Sequence, residues 1–370
     1  MGRREHLDWL RGVAVLLMID AHLFDSWTRF PDRETRAFGI AMIIGGGGTT
    51  LFLFLAGVAV ALSAGSKLRR TGDADAAARA VALRGLEIFA LAFVFRIQAF
   101  LLGWSGRWLD LLRVDILNIM GPSVAIAALF WRLGSSVRSR SVIFAIAMAA
   151  TSFVTPIVRT LPQGMLPHAL YAYIVPVAGL SNFVFFPWTA LVFAGAFVGV
   201  LVDAGGTPEA DARTHRQLAV GGAIVSAGAF AASYLPSAFA ASHFWTTSPA
   251  YLFLRSGLST AAVAGAHAWL KSWGGGAHWS ALTQLGRTSL FIYWIHVELV
   301  YGLISRPWHR ALTLSQAILA YVVFCGLMLA CSVAKERLAQ RFARRATSGP
   351  LTAGAFSAAP VPTRSRPSGE

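Results

Sequence analysis

The sequence predicts an all-α protein, a polytopic transmembrane helix bundle of about ten helices with both termini in the cytoplasm. Of its 370 residues, 56% are hydrophobic and only 13% are charged. The mean hydropathy of +0.59 is higher than the core of a soluble domain of this length requires. Apolar runs of roughly 17 to 25 residues, long enough to cross the hydrocarbon core of a bilayer, recur along the chain.

Ten such runs follow one another in chain order. They lie near residues 12–28, 40–64, 86–103, 116–133, 142–159, 183–203, 218–235, 249–270, 288–305 and 312–333. The first contains ionisable residues and lacks a small-residue cleavage site, so we expect it to remain as a helix and not to be removed as a signal peptide. The second contains "GGGGTT" at 45–50. That run permits either a broken helix or a close approach of two backbones.

The segments between the runs predict the orientation and the domain boundary. The chain carries a net charge of +15. Most of its Lys and Arg fall in segments that are cytoplasmic if the N-terminus is cytoplasmic. We therefore expect a multi-pass protein of the plasma (inner) membrane, with the lipid bilayer and not nucleic acid as its partner. Residues 1–345 form the predicted transmembrane domain, and 346–370, rich in Ser, Pro, Ala and Gly, a disordered cytoplasmic tail. The oligomeric state stays open, with a homodimer among the options.

The loop between the fifth and sixth runs, 159–182, is expected to lie in the membrane interface. It is rich in aromatic residues and proline and holds a single charge. A loop of this composition could roof a site.

The first run carries ionisable groups at defined depths. In "LRGVAVLLMIDAHLFD", residues 10–25, His22 follows Arg11 by eleven positions. A helix rises about 16 Å over that distance and returns to within about 20° of the same face. Arg11 should therefore lie at the cytoplasmic mouth and His22 near the midplane. Asp25 shares the face of His22 and is its predicted partner, whereas Asp20 points to nearly the opposite side.

Two further outward-running spans bring ionisable side chains to a similar depth. Arg96 lies above Arg84 in the third span, and His296 lies above Arg287 in the ninth. Ionisable residues inside membrane helices are costly to desolvate. Any single one could pair to hold helices together, but their convergence favours a functional cavity.

Three polar residues cluster near the predicted outer surface. Asp115 and Asn118 begin the fourth span and Asn182 begins the sixth. Asp and Asn favour the first positions of helices, so these residues are candidates for helix caps. Contact with a substrate is an equally good interpretation of the same positions.

Several catalytic signatures are missing from the sequence. It contains no His-x-x-x-His, Cys-x-x-Cys, Gly-x-Ser-x-Gly or dinucleotide fingerprint. We therefore expect no metal, and neither redox chemistry nor serine hydrolysis.

The order of the polar blocks resembles that of a known family. The blocks are "HLDWLRGVAVLLMIDAH", "GGGGTTLFLFLAGVAVALS", "LRVDILNIMGPSVAIAALFW", "NFVFFPWTALVFAG" and "LGRTSLFIYWIHVELVYG". They are similar, in order, to blocks of the bacterial relatives of heparan-alpha-glucosaminide N-acetyltransferase. The first also fits the Arg-x10-His pattern of the broader acyltransferase-3 membrane enzymes.

The resemblance implies an enzyme of ten or eleven helices that moves an acyl group, typically acetyl, from cytoplasmic acyl-CoA to a sugar amine or hydroxyl across the membrane. His22 matches the essential histidine of the family and Arg11 the arginine of the motif. Asp115, Asn118 and Asn182 match polar positions. The lysosomal member has an additional luminal segment, so its acceptor is not carried over to this chain.

Acyl transfer assigns a role to each candidate residue. His22 is the base or a transient acyl carrier, Asp25 orients it, and Arg96 or His296 polarises the thioester carbonyl. The predicted contacts with the phosphates of acetyl-CoA are Arg11, Arg84 and Arg287. The predicted substrate-binding residues are Asp20, Asp115, Asn118 and Asn182.

Two other functional classes compete with the enzyme. A proton-coupled transporter also buries Asp, Glu, His and Arg at the midplane, but it usually shows an internal repeat, and none is visible in the sequence. A membrane scaffold would not need such buried charges.

Overall fold

The chain folds into helices throughout the described residues. The computed structural model describes residues 4–101, 108–239, 242–272 and 279–347, and within these ranges there are helices and isolated bridges but no strand. The helices are α1 Glu5–Trp27, α2 Phe30–Arg33, α3 Arg36–Thr71, α4 Ala74–Leu101, α5 Ile116–Leu133, α6 Val137–Val158, α7 His168–Ile174, α8 Phe185–Asp203, α9 Pro208–Ala232, α10 Pro249–Ser272, α11 Ala281–Arg287, α12 Ser289–Tyr301 and α13 Leu314–Thr347. Short 3₁₀ helices cover Trp108–Leu112 and Leu303–Trp308.

The helices have the length and surface of membrane spans. Among the described residues five of them, α3, α5, α6, α8 and α13, are long and apolar enough to cross a bilayer. The helices α1, α4, α9 and α10 exceed 18 residues as well. Large apolar side chains are exposed along α6 and α13, including Ile146, Leu319 and Val323, as expected for faces in contact with lipid. The number of spans and their orientation stay predictions.

Helix α1 lies at the centre of the bundle. It packs against α3, α10, α11 and α12, and its side chains Ala14, Val15, Ile19 and Leu23 are completely buried. Asp8 and Asp20 are buried between the helices as well, and His22 is partly buried.

The glycine run of α3 allows the close approach between α3 and α1. Of the two alternatives that the sequence left open, the broken helix does not occur, because α3 continues without interruption through "GGGGTT". A Cβ atom on Gly48 would lie 2.7 Å from the backbone nitrogen of Met18, and one on Gly45 would lie 2.8 Å from that of Ala21. Only glycine permits this spacing, and it brings α3 alongside the turn of α1 that carries His22.

The segment before α8 returns to the start of α5. The Val114 N–H donates to the Leu180 carbonyl at 2.8 Å, and the Asn182 N–H donates to the Val114 carbonyl at 2.9 Å. The segment also contains α7, whose Tyr173 hydroxyl accepts from the Asn118 amide at 3.2 Å. These contacts hold Asn182 next to the residues that begin α5.

The predicted C-terminal tail, 346–370, lies almost entirely outside the described residues, which end at 347. The residues up to Ser332 form one compact unit, and this unit contains all the predicted site residues.

Candidate active site

A polar cavity of about 420 Å³ opens beside α1. Five of the residues predicted from the sequence line it: His22, Asp25, Arg96, Asp115 and Asn182. They come from α1, α4, the start of α5 and the segment before α8. The structure thus brings together in one cavity groups that are up to 160 positions apart in the sequence.

His22 and His296 form a direct pair. The Nδ1 atom of His22 lies 3.0 Å from Nε2 of His296, and the two rings are nearly parallel, 10° apart, with centroids at 5.1 Å. His22 borders the cavity, whereas His296 lies behind it and is fully buried. The sequence placed the two residues at a similar depth but did not predict that they touch.

The hydrogen bonds of His296 define the tautomer of His22 when both rings are neutral. Nδ1 of His296 lies 2.8 Å from the Ile292 carbonyl. A carbonyl can only accept, so this nitrogen carries the proton and Nε2 of His296 must accept. Nδ1 of His22 then donates to it. This leaves Nε2 of His22 with a free lone pair.

Asp25 lines the cavity but has other partners than the predicted one. Its carboxylate accepts from Arg33 at 2.8 Å and lies 3.9 Å from the guanidinium of Arg310. Both arginines also donate to its backbone carbonyl. The orienting contact that the sequence assigned to Asp25 is made by His296, which the helix periodicity of α1 could not reveal.

Arg96 and Asp115 form an ion pair at the cavity wall. Nη2 of Arg96 lies 2.5 Å from Oδ2 of Asp115, and the two side chains are only 11% and 17% exposed. Oδ1 of Asp115 accepts from the Ile116 N–H at 2.9 Å, and Oδ1 of Asn118 accepts from the Asp115 N–H at 3.0 Å. Asp115 therefore both caps α5 and borders the cavity. Asn118 completes the capping box and is buried beneath it.

Asn182 lines the cavity and is hydrogen-bonded there to Arg113. Nη2 of Arg113 donates to Oδ1 of Asn182 at 2.8 Å, and Val184, not Asn182, is the cap of α8. Among the described residues the buried Nε atoms of Arg96 and Arg113 have no hydrogen-bond partner. Both arginines line the cavity, but these two Nε atoms are shielded from its open volume.

Asp20 does not line this cavity. The Oδ2 atom of Asp20 packs against Gly45. This oxygen atom has no hydrogen-bond partner among the described residues. This placement agrees with the helix periodicity, which turned Asp20 away from His22. It gives no support to the substrate-binding role that the sequence assigned to Asp20.

A second recess lies near the other end of α1. It has a volume of about 660 Å³ and is lined by four basic residues, Arg11, Lys67, Arg70 and Arg84. Apolar side chains such as Leu55, Ile88 and Val124 form its walls. We refer to it as the basic groove. Arg11 also pairs with Asp8 at 2.9 Å, and Arg84 with Glu87 at 2.7 Å.

Arg287 is exposed and is not among the residues that line the basic groove. The sequence also missed two members of the groove, Lys67 and Arg70. They belong to the charged C-terminal turns of α3, which resemble an ordinary cytoplasmic helix end.

A pair of aromatic rings separates the polar cavity from the basic groove. Phe52 lines the groove and Tyr293 lines the cavity, and their rings stack with centroids 6.2 Å apart. The sequence did not single out Tyr293 or Tyr301, which approaches His22 edge-on at 5.6 Å. The signal that could have found Tyr293 is its spacing from His296 on α12, three positions before it. Tyr301 is five positions after His296, which helical spacing turns to another face, so no sequence signal pointed to it.

The comparison with family models identifies the family. Residues 3–235 match the model described as heparan-alpha-glucosaminide N-acetyltransferase, catalytic. The chain belongs to this family. No curated protein matches the sequence.

Membership in the heparan-alpha-glucosaminide N-acetyltransferase family confirms the resemblance that the sequence blocks indicated. It implies a membrane acetyltransferase and does not favour a transporter. The matched residues include every cavity residue from α1 to the segment before α8. They end before α12, so Tyr293 and Tyr301 complete the cavity from beyond the matched region, and His296 supports His22 from there.

Proposed function

We propose that the protein transfers an acetyl group, or a short acyl group, from cytoplasmic acyl-CoA to an amine or hydroxyl of a sugar on the far side of the membrane. His22 acts as the base or as a transient acyl carrier. The observation that carries the proposal is the His22–His296 pair, in which His296 leaves Nε2 of His22 unprotonated at a polar cavity.

The basic groove is the proposed site of the CoA moiety. Its four cationic side chains suit the phosphates of CoA, because guanidinium and ammonium groups form strong charge-assisted hydrogen bonds with phosphate. Its apolar walls suit the pantetheine arm. Arg11 in the groove and His22 at the cavity belong to one continuous helix, and eleven residues of helix correspond to about 16 Å.

The acyl group would reach His22 beside the stacked rings of Phe52 and Tyr293. These rings lie between the groove and the cavity, so the thioester end of an extended arm would meet them first. A donor on one side of this pair and an acceptor on the other match the geometry of a transfer across the membrane.

The acyl group has two routes from the thioester to the acceptor, and both use Nε2 of His22. In direct transfer, the nitrogen or oxygen atom of the acceptor attacks the thioester carbonyl. Nε2 of His22 removes the proton from that acceptor atom at the same time. The carbon–sulfur bond then breaks and CoA leaves as the thiolate. In the two-step route, Nε2 attacks the thioester carbonyl, the carbon–sulfur bond breaks and CoA leaves as the thiolate. The acceptor then attacks the acyl-imidazole, the carbon–nitrogen bond to His22 breaks, and the released Nε2 takes the proton of the acceptor.

The developing oxyanion needs donors at the cavity wall. Arg96 and Arg113 are the candidates, because each is a cation that lines the cavity. A preorganised donor to an oxyanion contributes about 10²–10³ in rate. Asp25, Asp115 and Asn182 supply acceptors for the hydroxyl or ammonium groups of a sugar.

The purified protein with radiolabelled acetyl-CoA tests the proposal. We expect labelling of an amino-sugar or glycan acceptor, or of the protein itself, and we expect His22→Ala to abolish it. His168→Ala, at an exposed position of α7, is the matched control and should transfer at the rate of the unmodified protein. Normal transfer by His22→Ala would refute the assignment of His22. Absence of transfer with a panel of glycans, together with movement of a sugar across proteoliposomes, would refute the enzyme.

A further inference from the structure

Three histidines from three helices meet at the end of the bundle where α1 begins. His6 lies in the first turn of α1, His215 in α9 and His267 in α10. One ligand atom from each lies within 4.8 Å of those of the other two. We call this group the histidine cluster. It is distinct from the polar cavity, whose lining includes none of these residues.

The spacing inside the histidine cluster fits a tetrahedral ion. The Nε2 atoms of His6 and His215 lie 3.3 Å apart. Two imidazole nitrogens, each about 2.0–2.1 Å from a tetrahedral Zn²⁺, would lie about 3.3 Å apart. The His215 and His267 rings are stacked, 12° apart with centroids at 3.8 Å, and both meet His6 edge-on. An ion lies in the plane of each imidazole that binds it, so His267 must rotate out of this stack to join His215 on one ion.

Asp211 lies behind two of the imidazoles, where metal sites commonly place a carboxylate. Nδ1 of His215 donates to the Asp211 backbone carbonyl at 2.8 Å, which leaves Nε2 of that ring free to bind. The Asp211 carboxylate lies 3.6 Å from Nδ1 of His215 and 3.8 Å from Nδ1 of His267. A carboxylate behind the second nitrogen of a ligating histidine is a common second partner in metal sites.

Two of the three imidazoles in the histidine cluster are shielded from water. His6 and His215 are 8% and 3% exposed, and Arg4 lies close by, with its guanidinium 2.7 Å from Oδ1 of Asp211.

We propose that His6, His215 and His267 bind a divalent transition metal of the zinc type, which fastens the start of α1 to α9 and α10. Three nitrogen ligands leave a fourth position for water. The expectation of no metal rested on the absence of a short motif. Here the ligands come from three helices and are separated by 209 and 52 positions, a pattern that no local motif would show.

The test uses the full chain, purified in detergent with an affinity tag that lacks histidine. The protein is stripped with a chelator, incubated with Zn²⁺ and desalted, and the bound metal is then measured by mass spectrometry. We expect about one equivalent per chain. His215→Gln and His267→Gln should each retain less than a tenth of this amount, and His168→Gln should retain it fully.

A second measurement keeps the proposal testable if the cluster variants fail to fold. Titration of the stripped, unmodified protein with Co²⁺ should give the intense visible absorption of a tetrahedral site, and one equivalent of Zn²⁺ should abolish it. Unmodified protein that retains no Zn²⁺ and gives no such spectrum would overturn the proposal and show a hydrogen-bonded cluster of neutral rings. Metal retained by the cluster variants but lost from His22→Gln would overturn it too, because the ion would then belong to the polar cavity.

Discussion

His22 is useful for acyl transfer only if the correct ring nitrogen carries the proton. A free imidazole exchanges between two tautomers, and only one of them presents an unprotonated Nε2. His296 removes this ambiguity, because its own Nδ1 is committed to the Ile292 carbonyl at 2.8 Å. The pair therefore depends on a backbone group of α12 that has no part in the reaction.

Replacement of His296 tests its role as a positioning residue. His296→Leu removes the acceptor for Nδ1 of His22, so we expect kcat for acetyl transfer to fall at least about 100-fold, with little change in KM for acetyl-CoA. His296→Gln keeps an amide oxygen that can accept the same proton and should recover part of the loss. Steady-state kinetics of the two variants provide the measurement.

The comparison of the two variants separates positioning from packing. If His296 only filled space, the Gln and Leu variants would lose similar activity in proportion to their loss of thermal stability. A Leu variant with the kcat of the unmodified protein would contradict the proposed hydrogen-bond chain.

At the level of elements, the packing of α3 against α1 decides where His22 lies. Gly48→Ala would place a Cβ atom 2.7 Å from the Met18 backbone nitrogen, and the helices would have to separate. We expect destabilisation of about 1–3 kcal/mol and a lower kcat, because the reacting groups are displaced. Thermal unfolding in detergent and the transfer assay measure the two effects.

Gly47→Ala is the matched control in the same glycine run. Its Cβ would meet only the Leu17 side chain, at 3.8 Å, and alanine favours helix over glycine by about 1 kcal/mol. We expect equal or higher stability and unchanged transfer. An equal loss of stability and of transfer activity in the Gly47→Ala and Gly48→Ala variants would contradict the proposed role of the α1 contact.

The basic groove makes a prediction about the donor. Arg70→Ala removes a cation from the groove, so KM for acetyl-CoA should rise about five- to tenfold while kcat stays the same. The effect should shrink in high salt because the side chain is exposed. Arg79→Ala, an exposed position on α4 outside the groove, should leave KM unchanged. Equal KM values for Arg70→Ala and the unmodified protein would place the CoA phosphates elsewhere.

For the whole molecule, the distribution of basic residues predicts that the basic groove faces the cytoplasm. Single cysteines introduced at Gln163 and Glu209, both exposed, in a variant lacking Cys325 and Cys331, test this orientation. A membrane-impermeant thiol reagent should label Gln163→Cys from outside intact spheroplasts, and Glu209→Cys only after permeabilisation. The opposite result would reverse the orientation and place the donor groove outside.

Much of the site could be predicted from the sequence because helices have a regular period. Knowledge of residues 10–25 alone was enough to place Arg11 and His22 at two depths of one helix and to turn Asp20 away from His22. Ionisable residues in apolar runs are costly, so Arg96, Asp115 and His296 stood out against their surroundings. These inferences depend on local geometry, which a single helix carries in its own residues.

Only the tertiary structure decided which of these residues meet. His22 pairs with His296 and not with Asp25, Arg96 pairs with Asp115, and Arg287 lies outside the groove that Lys67 and Arg70 help to form. The histidine cluster was not predicted at all. Contacts between helices depend on how the helices rotate and cross, which the packing of the whole bundle determines. The sequence by itself therefore determined the helical class, the family and the spacing of Arg11 and His22 along one helix, and the packing decided the partners of the site residues.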